Sequence, residues 1–116
     1  MLPQVKKEIN LDLRIVGFNY GTNKNLNLIS SLDAISEDGL LFTKPNGMDD
    51  DEMEYITANQ DILMGAIVEM KCSGLSQDSN GKYSTLHPVF KLIRTDKTIA
   101  NTLQECIEID KSSSLL

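Results

Sequence analysis

The 116-residue sequence predicts an all-β barrel of five strands, with one helix between the third and fourth strands and a second after the fifth. Three observations point there. Leu11, Leu13 and Ile15 alternate with Asp12, Arg14 and Val16, the period-two pattern of a strand with one buried face. Asp38 and Gly39 stand between two apolar runs, and Asp-Gly tolerates the positive φ angles of a tight hairpin turn. The β-branched run from Ala66 to Cys72 follows a stretch with helical spacing, so the chain returns to strand after a helix.

Taken in order, the first strand starts at Leu11 and ends near Gly17, and the polar residues Asn19 to Asn25 read as a loop. A second strand covers Leu26 to Ile35, and after the Asp38-Gly39 turn a third covers Leu40 to Thr43 and pairs with it. Pro45, Asn46 and Gly47 close that strand. The acidic run Asp49 to Glu52 opens a helix reaching Leu63, with Met53, Ile56 and Ile62 near helical spacing; acidic side chains there offset the unpaired amides of a helix N-terminus. Ala66 to Cys72 is the fourth strand, and Ser73 to Lys82, rich in Gly, Ser, Asn and Asp, reads as a long turn. Tyr83 to Ile93 is the fifth strand, with Pro88 marking an edge or an entrance because it has no N–H for the ladder. Thr95 or Asp96 then caps a helix with Ile99, Leu103, Cys106 and Ile107 on one face. This connectivity is that of a Greek-key OB-fold barrel. Residues 1–10 read as the remnant of a hinge or linker, 11–109 as the domain, and 110–116 as a disordered tail.

Composition limits the function. Six aromatic residues and no Trp leave the core to Ile, Leu, Val and Met, and a formal charge of −6 argues against gripping nucleic acid through a strongly basic face. Cys72 and Cys106 form no CxxC motif and read as reduced thiols. The N-terminus lacks an apolar signal core, and no apolar run approaches the roughly 20 residues of a membrane helix. A monomer in the cytoplasm of a bacterial, phage or viral system, or in a eukaryotic nucleus, is expected, with no membrane partner. His87, the sole histidine, has no second histidine or carboxylate cluster with which to build a triad or a metal site, and no metal is expected in this domain.

The segment from Leu86 to Lys97 is the most informative. Arg94 offers a planar fork for bidentate phosphate contacts and Lys97 a compact point charge, while Asp96 can hold one of the cations in place. His87-Pro88, Phe90 and the spacing Arg94-x-Asp96-Lys97 resemble motif VI of ATP-dependent DNA ligases and messenger RNA capping enzymes, and the ligase branch fits better. The stretch 12–17, Gly21-Thr22, Asp38-Gly39 and Gly65 to Lys71 fall in the order seen in ligase OB domains. Val5 to Lys7 resembles the end of the motif that precedes the hinge. Val89 and Lys91 stand where many relatives carry Arg.

The resemblance implies a C-terminal OB domain that swings over an adenylation domain, where Arg94, Asp96 and Lys97 are the catalytic set orienting the phosphates of ATP. ATP and Mg2+ would belong to the full-length enzyme and none to this domain alone. Rotation would then press another face onto nicked double-stranded DNA, with Lys24, Lys82 and Lys91 as expected backbone contacts. Alternatives from other classes are a stand-alone OB module that binds single-stranded nucleic acid and the OB domain of a capping enzyme. Lys44-Pro45-Asn46-Gly47 imitates the signature of an adenylated lysine, but Phe42 and Asp49 occupy the positions where that signature has an acid and an Arg. The domain is therefore expected to be inactive by itself.

Overall fold

The computed structural model describes residues 7–22 and 27–113. Its main sheet has five antiparallel strands in the order β3-β2-β1-β4-β7: β1 (Ile9–Tyr20), β2 (Ile29–Ile35), β3 (Phe42–Thr43), β4 (Ile67–Cys72) and β7 (Val89–Arg94). Helices α1 (Asp50–Ala58) and α2 (Gln60–Leu63) lie between β3 and β4, and α3 (Leu103–Ser113) closes the chain. This is the expected all-β arrangement. The ladder does not run all the way round; one parallel bridge, Asn46 to Val89, joins the sheet's two edges, with the Phe90 N–H donating to the Asn46 carbonyl at 2.6 Å. No helix among the described residues is long and apolar enough to cross a membrane.

Strand alternation builds the core. Ile9, Leu11, Leu13 and Ile15 point inward from β1 and meet Cys72, Met70 and Val68 of β4, while Leu32 and Ala34 come from β2. Met53 and Ile56 of α1 join this core, as does the fully buried Cys106 of α3, the helix that packs against β1. The acidic run starts the helix as its chemistry requires. Asp49 accepts from the Glu52 N–H, and Glu52 reaches back to the Asp49 N–H, a reciprocal capping box.

Several boundaries differ from the sequence reading. β1 begins at Ile9 rather than Leu11 and passes through Gly17 to Tyr20, because a bulge between Ile15 and Gly17 lets the strand bend without ending. A Cβ at Gly17 would lie 2.7 Å from an Asp33 carboxylate oxygen, so a larger residue there would have to push the Asp33 side chain aside. β3 is only two residues long, and the β2–β3 connection spans 36–41 with Gly39 at φ +74° rather than a two-residue turn. The helix breaks at Asn59, which turns Ile62 outward to 76% exposure and puts Leu63 in the core instead.

The expected long turn is itself a hairpin: β5 (Leu75–Gln77) pairs with β6 (Tyr83–Thr85) as a second, two-stranded sheet. The predicted fifth strand is therefore divided, with His87 at φ +52° and Pro88 between β6 and β7. Residues 95–102 are not helical. The Asp96 carboxylate is taken by Arg94 and cannot cap, and the helix starts where Thr102 and Glu105 form their own reciprocal pair, so Ile99 lies outside it, 69% exposed. At its other end α3 continues through Ser113, past the expected tail boundary at 110, and Lys7 reaches it to pair with Asp110 at 2.7 Å.

Candidate functional site

The outer face of β1, β4 and β7 carries a network of alternating charge. In the antiparallel register Asp12 of β1 stands directly opposite Glu69 of β4. Two carboxylates in that position repel unless a cation joins them. Arg94, at the end of β7, is that cation: Nη1 donates to Glu69 Oε1 at 2.9 Å and lies 3.5 Å from Asp12 Oδ1. Its other edge is taken by Asp96, with Nε to Oδ1 at 3.0 Å and Nη2 to Oδ2 at 2.9 Å, a bidentate fork. Lys97 turns back over the sheet to Asp12 Oδ2 at 2.5 Å, and Lys91 pairs with Glu69 Oε2 at 3.1 Å.

The expected set of Arg94, Asp96 and Lys97 thus lies together. Three cations, Lys91, Arg94 and Lys97, face three carboxylates, Asp12, Glu69 and Asp96. The electrostatics follow from the contacts. The Arg94 hydrogen bonds hold Asp96 down at about 2, and Arg94 itself is pushed up from its ordinary value, chiefly by Asp96. Glu69 is lowered by the hydrogen bond from Lys91, with Arg94 assisting.

A second arginine positions the segment that carries Lys97. Arg14 donates from Nη1 to the Gly65 carbonyl at 2.7 Å and from Nη2 to the Thr98 carbonyl at 2.9 Å and Glu37 at 2.6 Å. The same Glu37 oxygen accepts the Ala100 N–H, which with Arg14 lowers its pKa. Asn101 completes the attachment by exchanging two bonds with the Asp12 backbone. Asp38 accepts the first amide of α3 from Leu103.

Beside the charged network lies a cavity of about 650 Å3 between α1–α2 and β7. Tyr55, Ile62, Phe90 and Leu92 contribute apolar surface, and Arg94 and Lys97 reach it from the strand side.

The expected DNA contacts stand on different parts of the chain. Lys24 lies outside the described residues. Lys82 is exposed on the β5–β6 hairpin, whereas Lys91 belongs to β7 and is held by Glu69. Lys44 follows β3 with its side chain 59% exposed, and its ammonium lies 4.0 Å from Asp33. Asp12, Glu69, Arg14 and Asn101 were missed in the sequence. Asp12 and Glu69 do occupy outward positions of alternating strands, a signal that acquires meaning only with the register.

No protein-family model and no curated protein matches the sequence. Solved structures do. One described as Pmar-Lig_Pre. superposes with a TM-score of 0.72 at 25% identity over 80% of this chain, and one described as Pmar-Lig_PreS3 with 0.71 at 24% over 78%. A third, from a study entitled "DNA binding with a minimal scaffold: Structure-function analysis of Lig E DNA ligases", gives 0.61 at 22% over 78%. The chain spans 22% of the length of the first two and 32% of the third. By its fold, a five-stranded OB-like sheet, the chain is similar to a part of these structures, one from the study of Lig E DNA ligases among them.

Proposed function

We propose that this chain serves as the OB domain of an ATP-dependent DNA ligase, closing over an adenylation domain so that Arg94 and Lys97 orient the β and γ phosphates of ATP, and later contacting nicked duplex DNA. The observation that carries the reading is the ligase-like fold together with two cations of the β7 end on one rim, Arg94 and Lys97, with 24% and 40% of their side chains exposed. That combination suits a phosphate chain: Arg94 supplies a planar edge for two parallel bonds and Lys97 a mobile point charge. ATP with Mg2+ would supply the activated adenylyl group, its β and γ phosphates departing as pyrophosphate. The residues of this chain would align the leaving phosphates and shield them from water. Asp12 and Glu69 hold Arg94 from behind and keep its fork directed along the strand end.

The test has two arms. Incubated with radiolabelled ATP and Mg2+, the chain alone is expected to acquire no label. Added to the adenylation domain of a DNA ligase stripped of its own OB domain, it is expected to speed self-adenylation, and Arg94→Ala or Lys97→Ala to abolish the stimulation. Label on this chain that vanished with Lys44→Ala would overturn the reading. Tight binding to single strands without preference for nicked duplex would instead favour a stand-alone OB module.

A further inference from the structure

Building on the reading of Arg94 and Lys97 as a phosphate site, we infer that Asp96 is an internal stand-in for phosphate: it occupies the Nε and Nη2 edge of Arg94 in the unliganded domain and leaves it when phosphate arrives. The two edges of the guanidinium are held differently. Glu69 and Asp12 approach from strands of the sheet, with only 14% and 12% of their side chains exposed, so each has less room to turn away than Asp96. Asp96 lies beyond the end of β7, its side chain 67% exposed, and its bidentate grip has the donor geometry a phosphate would use. A carboxylate with two oxygens on one guanidinium edge and a lysine adjacent in sequence is a close imitation of a phosphate group. Arriving phosphate has one edge to take, and Asp96 can rotate into water to yield it. Asp12 and Glu69 stay and fix the orientation of the fork. Asp96 is then a specificity device: a single weak anion does not gain enough to displace it, whereas a polyphosphate that engages Arg94 and Lys97 together does.

The experiment uses this chain and inorganic tripolyphosphate, with binding followed by calorimetry and by the Arg94 Nε–H resonance. Asp96→Asn is expected to raise affinity about fivefold, since an exposed but well-formed ion pair no longer competes. Asp51→Asn is the control: it removes one negative charge from the same cavity without freeing a cation, and a gain below about twofold is expected because exposed charges are screened. In the wild-type chain the Arg94 Nε–H signal is expected to move on saturation. An Asp96→Asn gain no larger than the control, or a loss, overturns the inference while leaving the phosphate site in place. No tripolyphosphate binding by either the wild-type chain or Asp96→Asn overturns the phosphate reading itself.

Discussion

Replacing Arg14 by Met keeps the apolar stem and removes every donor, which isolates the attachment of the segment carrying Lys97. Two carbonyls lose a charged donor: Gly65 in a part-buried setting at 2.7 Å and Thr98 in an exposed one at 2.9 Å. A bond from a charged group contributes about 1.5 kcal/mol where partly buried and about 0.5 kcal/mol where water competes, so the loss is about 2 kcal/mol. The Glu37 contact is open to water and adds nothing to that sum. For a domain of this size the melting temperature should fall by roughly 8 °C. Thermal unfolding followed by circular dichroism gives the first number. Amide exchange gives the second: Ala100 and Asn101, which donate to Glu37 and Asp12, should lose protection ahead of the β1–β4 ladder. A drop under about 2 °C with protection at 100 and 101 intact would show that Asn101 and α3 hold the segment without Arg14, and the positioning argument would fail.

Other outcomes follow from the same structure. Leu13→Ala, at a fully buried position between β1 and β4, should cost about 3 kcal/mol in urea unfolding; a cost below 1 kcal/mol would mean the site collapses around the void. The carboxylates Glu37, Asp38, Glu69 and Asp96 all have folded pKa values below their ordinary ones, so the unfolded chain binds more protons; their stabilisation should be complete above about pH 4.5 and be lost as pH falls toward about 2. The thiols act in the opposite sense. Burial raises Cys72 and pushes Cys106 up to about 12 from the ordinary 9.0, so stability should be full below about pH 9 and decline between 9 and 12, an alkaline slope that Cys106→Ala should flatten. Affinity for nicked duplex DNA should be weak, with a log–log salt slope no steeper than about −2, because the chain is acidic and Lys91 is already paired.

How much of this was legible in the sequence depends on the range of the determining interaction. The inward face of β1, the Asp49–Glu52 helix start and the fourth strand follow from local alternation and capping, and they stand where expected. The divided fifth strand does not, because nothing local says that Leu75 to Gln77 pairs with Tyr83 to Thr85 across the polar turn, or that His87 adopts a left-handed conformation between them. The late start of α3 hid for a related reason. Thr95, Asp96 and Thr102 are all capping residue types, and the earlier candidate Asp96 is taken up by Arg94 two residues before it, an arginine that also bonds Glu69 across the sheet, 25 residues away. The spacing of Arg94, Asp96 and Lys97 drew attention to the correct stretch of chain. Their partners lie far off in sequence, Asp12 85 residues from Lys97 and Glu69 25 from Arg94, and only the β1–β4–β7 register, which sequence patterns leave open, brings them together.

The parallel bridge from Asn46 to Val89 gives the barrel a clasp in place of a welded seam. β7 is laced along β4 as far as Arg94 on one side, while on the other its bonds to Asn46 lie at its entrance, so the remaining outer edge has no ladder partner among the described residues. Loosening the clasp, for instance by lengthening the hairpin just before Pro88, should therefore part the two edges of the sheet while the β4 ladder keeps Arg94 in register.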